Sequence, residues 1–190
     1  MLPYTEDLPL NGLYPYDASK ACEDIVARSY ARTYELPLAV TRLANIYGGG
    51  DLNLSRIVPG TVRSILVGEE PVICSDGTPL RDYLYVEDAV GAYLTLAQAL
   101  PGVAGEAFNF GSNAPISALA LVELILERAG SDLRPRIVGT GKLHGEIDRQ
   151  YLDSSKAERV LGWRASTTLA EGIDRTLAWY RERAAALGWT

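Results

Sequence analysis

The sequence predicts an α/β protein built on a parallel sheet, and three observations carry that expectation. Helical stretches of roughly 10–15 residues alternate with short apolar runs, the pattern of βαβ units. The run Leu38-Ala39-Val40-Thr41-Arg42-Leu43 is nearly continuous in apolar character, as in a parallel strand covered on both faces. The composition, 47% hydrophobic and 22% charged over 190 residues, is that of a globular chain long enough to bury a sizeable core.

Each element has its own signal. Residues 17–34 follow Pro15 with few breakers and read as a helix. The strand at 38–43 runs on to a loop at Gly48-Gly49-Gly50. Residues 55–67 read as a helix and Pro71–Cys74 as a short strand, and Ser75-Asp76-Gly77-Thr78 turns into a strand over Tyr83–Val86. In the helix that follows, Glu87 and Asp88 lie at the positive end, and Val90, Tyr93, Leu94 and Ala97 form an apolar stripe. Ala107-Phe108-Asn109-Phe110 is a buried strand, and Ser117 caps a helix whose Leu119, Val122 and Leu126 share a face. Ser155 and Glu158 read as a capping box for a helix stopped by Gly162. Thr168 and Glu171 repeat the device for a last helix carrying Ile173, Leu177 and Tyr180. The later half, richer in short strands, predicts a smaller subdomain.

Charge and special residues exclude several functions. With 18 basic against 24 acidic residues and no Lys/Arg cluster, neither nucleic acid nor an anionic membrane is an expected partner. No apolar run reaches the roughly 18 residues of a membrane span. Cys22 and Cys74 each fall within an apolar pattern and predict buried thiols in a reducing compartment. The single histidine, His144, rules out a His-rich metal site, and no metal is expected. Trp163, Trp179 and Trp189 read as packing residues. The expected protein is soluble, acidic and cytoplasmic.

Three segments can carry chemistry. In Tyr16-Asp17-Ala18-Ser19-Lys20 a phenol and an ammonium stand four apart at a helix start, on one face. A phenol with a reference pKa of about 10 is a poor base at neutral pH, and a neighbouring ammonium favours its phenolate. The pair suits removal of a hydroxyl proton as hydride leaves the same carbon for a nicotinamide; the alternative is two surface residues of an amphipathic helix. Arg81, in the run from Asp76 to Val90, can clamp a diphosphate with its planar fork, or else pair with Asp82 or Glu87. Asn45 follows the 38–43 strand, where open α/β sheets bind ligands at their carboxyl ends; the alternative is ordinary Asn turn chemistry. Gly139-Thr140-Gly141-Lys142-Leu143-His144-Gly145 imitates a phosphate loop. It has the wrong glycine spacing and no helix after it, so it is set aside.

Taken in order, Tyr16 and Lys20, RLANIYG at 42–48, RDYLYVEDAV at 81–90 and DSSKAERVLGW at 153–163 resemble the extended short-chain dehydrogenase/reductase family of NAD-dependent nucleotide-sugar epimerases and dehydratases. Within it, GGGDLNLSRIVPG at 48–60, SDGTPLRDYLYVEDAV at 75–90 and QYLDSSKA at 150–157 are most similar to the CDP-glucose 4,6-dehydratase branch. The resemblance runs from about Leu2 to Tyr180. It implies Tyr16 as the base that oxidises the sugar C4 hydroxyl and Lys20 as its partner and nicotinamide-ribose ligand, with NAD, or NADP, as cofactor. It implies Asn45, Arg56 and Arg81 as nucleotide-diphosphate-sugar ligands, with Arg81 at the diphosphate. At Leu143-His144-Gly145-Glu146 many relatives carry an arginine that this chain lacks.

The family's glycine-rich NAD(P) turn and its elimination acid/base pair find no match, so the resemblance implies the later part of the enzyme. That gives one domain over 1–190. Its partial Rossmann-like parallel sheet, the first half missing, covers about 1–50 and 84–112, and a small α/β substrate subdomain covers about 51–83 and 113–190. Expected consequences are weak or absent turnover of the chain alone, and self-association or association with an amino-terminal half. Two alternatives stay open: a nucleotide-sugar-binding fragment without catalysis, and half of a nucleotide-sugar 4-epimerase.

Overall fold

A computed structural model describes residues 2–140 and 147–189. Six helices and nine strands are present among these residues: α1 (Pro15–Tyr34), β1 (Val40–Leu43), β2 (Asn45–Tyr47), α2 (Ile57–Leu66), β3 (Val72–Ile73), β4 (Leu80–Arg81), β5 (Tyr83–Tyr85), α3 (Val86–Ala99), β6 (Ala107–Phe110), β7 (Ile116–Ser117), α4 (Ala118–Ala129), β8 (Arg136–Ile137), β9 (Arg149–Gln150), α5 (Ser155–Leu161) and α6 (Leu169–Arg183). The α/β class is as expected. β1 pairs with β6, β2 with β5 and β3 with β8, all parallel, while β4 lies between antiparallel β7 and parallel β9.

β1 and β2 form one extended run whose hydrogen bonds change sides. The amides of Val40 and Ala44 donate to Glu106 and Phe110, on the β6 side. The amide of Asn45 donates to Asp82 at 3.1 Å, on the β5 side. Strand residues alternate sides, so the amides of Thr41 and Leu43 point to the edge that β5 occupies further along. No strand pairs with β1 on that edge among the described residues. This corrects the expectation of a strand covered on both faces: every residue of β1 is only half-buried.

Three apolar clusters hold the elements. Leu84, Ala89, Ala92, Leu96, Phe108, Phe110, Ala157 and Trp163 join α3 and α5 to the parallel strands, with Phe110 and Trp163 edge to face at 4.8 Å. Tyr47, Tyr85, Val62, Ile125, Ile173, Leu177 and Tyr180 gather α2, α4 and α6 around the carboxyl ends of β2 and β5. Ile73, Val122 and Leu126 seat β3 on α4. α6 lies close on β2 because Gly172 has no side chain: a Cβ there would stand 2.0 Å from the Tyr47 hydroxyl, which donates to Leu169 O.

Ser117 and Thr168 cap α4 and α6 through their side chains, and Gly162 ends α5 in the left-handed region, as the sequence indicates. The Ser155–Glu158 capping box is corrected. The N-cap of α5 is Ser154, whose hydroxyl accepts from Gly111 N at 2.8 Å, while Asp153 accepts the Ser155 amide. The stripe Val90-Tyr93-Leu94-Ala97 of α3 is exposed, and α3 instead buries Leu96 with Ala89 and Ala92, whose small side chains allow closer packing. Cys22 and Cys74 are both exposed, against expectation. The apolar faces that contain them look outward. Trp163 and Trp189 are buried as packing residues.

Asp88 anchors α3 to the segment before α6. Burial alone would raise its carboxyl, but the Ser166 hydroxyl and amide and the Thr167 amide donate to it and hold it below the usual carboxylate range. A lowered folded pKa stabilises fully above the unfolded value of about 3.9 and is lost as pH falls through the folded value. The urea midpoint is therefore expected to be flat from neutral pH to about 5 and to fall below about 4. Asp88→Asn should lower the neutral-pH midpoint and flatten part of the acid limb, and an acid limb identical to wild type would refute this assignment. No helix among the described residues is long and apolar enough to cross a membrane.

Candidate functional site

The side change at Ala44–Asn45 is where an open parallel sheet forms a crevice for ligands. Asn45 is the first residue past it. Its backbone and side-chain amides both donate to Asp82 O, at 3.1 and 3.2 Å, and its register partner is Tyr83. Arg81 lies one residue upstream of Asp82 on β4, the central strand of its sheet, and donates to Leu80 O at 2.9 Å and Asp148 O at 3.5 Å. Asn45 is thus bonded to the main chain one residue past Arg81.

Two acidic neighbours of Arg81 in sequence each have partners of their own. Glu87 pairs with Arg175 at 2.8 Å. Asp82 is 1% exposed, and its carboxylate accepts from the Ser112 hydroxyl and from the amides of Ser112 and Asn113. A Cβ on Gly111 would come within 2.2 Å of the same carboxylate. Asp82 therefore fastens the 111–113 loop with its side chain and Asn45 with its carbonyl. The sequence reading treated it only as a neighbour for Arg81; the signal for its real role is its place between two strands, where a carboxylate needs buried donors.

Beside it, burial pushes the Tyr83 phenol up to about 12, against the opposing effect of the Arg81 charge. Tyr83 stays a neutral phenol at physiological pH.

Arg56 stands at the N-cap of α2, with its guanidinium 3.0 Å from Asp51 in the loop after Gly50. Tyr16 and Lys20 lie on the first turns of α1. Tyr16 is 72% exposed, and the Lys20 ammonium reaches Glu23 at 2.6 Å rather than the Tyr16 hydroxyl. The hydrogen bond that Lys20 donates to Glu23, then the Glu23 charge, raises the Lys20 pKa and keeps the group cationic.

α1 is tied to the strand leading to Asn45 by a buried ion pair that the sequence reading did not select. Arg42 Nε lies 2.8 Å from Asp24 Oδ2, and Arg42 also donates to Glu6 O. Asp24 is 5% exposed, and its other oxygen lies 3.6 Å from Arg28 Nη1.

Two clefts lie elsewhere. One, of about 250 Å³, is lined by Gly111, Ser112, Asn113, Ser154, Glu158 and Arg164; a second runs beside Asp88, Trp163 and Arg175. Neither is lined by Tyr16, Lys20, Asn45, Arg56 or Arg81.

Gly139, in the rejected phosphate-loop imitation, has a plain packing reason, since a Cβ there would stand 2.3 Å from Cys74 O. Residues 141–146, including His144 and the stretch Leu143–Glu146, lie outside the described residues. No cluster of three or more metal-ligating side chains exists among the described residues.

A helix leading into a parallel strand run, with Asn45 where the run changes partners, is the arrangement of open-sheet α/β proteins that bind ligands at their strand ends, and comparison gives the family. Residues 2–111 match the NAD dependent epimerase/dehydratase family, and the chain belongs to that family. It is 37% identical to the dTDP-glucose 4,6-dehydratase of Streptomyces antibioticus over 187 residues, 96% of this chain and 53% of the relative. The structure of the dTDP-glucose 4,6-dehydratase of Bacillus anthracis, in complex with NAD, superposes with a TM-score of 0.86 at 30% identity, over 96% of this chain and 57% of that one. The UDP-glucose 4-epimerase of Thermotoga maritima, with UDP-glucose, gives 0.87 at 30% identity, over 96% and 58%. The chain spans about half the length of these relatives.

Proposed function

We propose that this chain is the substrate-binding, Tyr/Lys-bearing part of an NAD-dependent nucleotide-sugar 4,6-dehydratase. The observation that supports the reading is that Asn45, where the strand run changes partners, is bonded to the carbonyl of Asp82, the residue after Arg81. Arg81, on a central strand, presents a planar fork to the diphosphate, and Asn45 presents its amide to the same ligand. Arg56, at the start of α2, belongs to the sugar-nucleotide side. Tyr16 takes the proton from the sugar C4 hydroxyl. Lys20, kept cationic by Glu23, stabilises the phenolate and holds the nicotinamide ribose.

The exposed hydroxyl and ammonium of α1 fit the nicotinamide-ribose end of a dinucleotide, and the described residues offer no glycine-rich strand-to-helix turn for its pyrophosphate. NAD, when bound, supplies the hydride acceptor for C4. Water elimination needs an acid and a base besides Tyr16 and Lys20.

The motifs at 48–60 and 75–90 favour CDP-glucose, and the relatives named above act on dTDP-glucose or UDP-glucose. The equal likeness to the UDP-glucose 4-epimerase supports a second reading, a 4-epimerase part with the same Tyr16, Lys20 and Arg81. Titration calorimetry of the folded chain with CDP-, dTDP-, UDP- and GDP-glucose ranks the ligands, and no heat with any of them overturns the reading. Arg81→Ala is expected to cost roughly 2–5 kcal/mol of affinity; unchanged affinity would make Arg81 purely structural.

A further inference from the structure

We infer that the Asn11-Gly12 pair is a covalent modification site, where the asparagine amide closes onto the next nitrogen and leaves an isoaspartyl linkage just before α1. The site holds whichever reaction the chain serves.

The chemistry needs only these two residues and water. The Gly12 amide nitrogen gives up its proton and attacks Asn11 Cγ, forming a cyclic succinimide. The Cγ–Nδ2 bond breaks, and ammonia leaves with that proton. Water then adds to one ring carbonyl and breaks one ring C–N bond. Opening at Cγ gives an aspartyl residue. Opening at the main-chain carbonyl leaves the backbone running through Cβ and Cγ, one methylene longer. Nothing is oxidised or reduced.

The first ground is crowding at the attacking nitrogen. The asparagines are Asn11, Asn45, Asn53, Asn109 and Asn113, and only Asn11 precedes a glycine. In the others the nitrogen belongs to Ile46, Leu54, Phe110 or Ala114, each with a Cβ beside it.

The second ground is freedom to react. Asn11 and Gly12 are exposed and lie outside helix, strand and turn, next to Leu13, which is 87% exposed. Residues 9–13 enter no hydrogen bond among the described residues, so both reacting groups can meet as the backbone turns. Asp76-Gly77 is the contrast, since an aspartate closes the same ring with loss of water. There the Gly77 amide donates to Ser75 Oγ at 3.2 Å, and Asp76 Oδ1 accepts from the Thr78 amide at 3.0 Å. The fold holds both of its reacting groups in other bonds.

The third ground is packing, which also sets the consequence. A Cβ on residue 12 would stand 2.4 Å from Ala18 Cα and 2.6 Å from Ala18 N, on the turn between Tyr16 and Lys20. Glycine is therefore required at 12, while nothing in the fold requires Asn11. A backbone lengthened immediately before this contact no longer seats Gly12 on Ala18, and the first turn of α1, with Tyr16, loosens.

The experiment incubates the full 190-residue chain in warm buffer, folded and in urea, and follows each site by peptide mass mapping. In the folded chain Asn11 is expected to convert at least about tenfold faster than the other four asparagines. Labelling by an isoaspartyl methyltransferase with S-adenosylmethionine should rise with it and vanish in Asn11→Ala. Urea should change the Asn11 rate by less than about twofold and speed isomerisation at Asp76-Gly77, where it releases the hydrogen bonds. The modified chain, separated by ion exchange on its added negative charge, should melt lower and be cut faster by protease at Leu13–Tyr14. Conversion of Asn11 no faster than the other asparagines, or only in urea, overturns the site, as does labelling that persists in Asn11→Ala. Asp76-Gly77 isomerising as fast folded as in urea overturns the part given to hydrogen bonding. A modified chain with the melting and cleavage of the fresh one overturns the consequence for α1.

Discussion

Asp82→Ala is expected to destabilise the chain by about 3–5 kcal/mol, a fall in Tm of roughly 6–20 °C for a chain of this length. The carboxylate is almost fully buried and accepts from one hydroxyl and two amides of half-buried Ser112 and exposed Asn113, so its loss removes the acceptor of three donors and leaves a hole between the strands. Asp82→Asn keeps one acceptor oxygen but turns an NH2 group toward donors. It should recover only part of the loss, leaving about 2 kcal/mol. Thermal denaturation followed by circular dichroism measures both. If Asp82→Ala and Asp82→Asn each melt within about 2 °C of wild type, the carboxylate does not hold the 111–113 loop. The same variants should weaken sugar-nucleotide binding, because the Asp82 carbonyl fixes Asn45 and the chain between Arg81 and Tyr83.

Arg42→Ala should cost a similar amount, about 3–5 kcal/mol, for a different reason. It strands the Asp24 carboxylate inside the α1–β1 contact, with only Arg28 at 3.6 Å to offset it. A buried pair is costly to break and cheap to replace. Asp24→Leu combined with Arg42→Met is therefore expected to regain most of the stability that either single change loses. Urea denaturation of the two singles and the double gives the coupling, and purely additive losses would show that the pair does not act as a unit. The pair also couples the helix bearing Tyr16 and Lys20 to the strand that ends in Asn45.

Much of the fold was legible because its signals are local. Caps at Ser117 and Thr168, the glycine stop at Gly162, and the inward face of Ile173, Leu177 and Tyr180 all depend on residues within a turn or two of one another. The failures share a different cause. Ser154 rather than Ser155 begins α5, and its hydroxyl serves Gly111, distant in sequence, while Asp153 accepts the Ser155 amide. Val90, Tyr93 and Leu94 look like a core stripe by spacing, yet the sheet accepts the smaller Ala89 and Ala92. Cys22 shares its exposed face with Val26 and Tyr30, a face that periodicity marks as apolar without saying what lies opposite. The candidate site divides in the same way. Tyr16, Lys20, Asn45 and Arg81 could be picked out by residue type and spacing. The fastening role of Asp82 and the Asp24–Arg42 tie could not, since both depend on which strands lie side by side.

The missing side chain at Gly172 sets a limit for anyone who would redesign this scaffold. Tyr47 closes the carboxyl end of β2 just past Asn45, and its hydroxyl occupies the space that any other residue at 172 would need. The loop after β2 is held to α6 by this phenol together with Trp179 against Gly49 and the Tyr180 hydroxyl, which donates to Asp51 O. A library aimed at new sugar-nucleotide preference can vary the outer loop around Arg56, whose ion pair is exposed. Positions 47 and 172 have to be varied together, as one steric unit contributed by opposite ends of the chain.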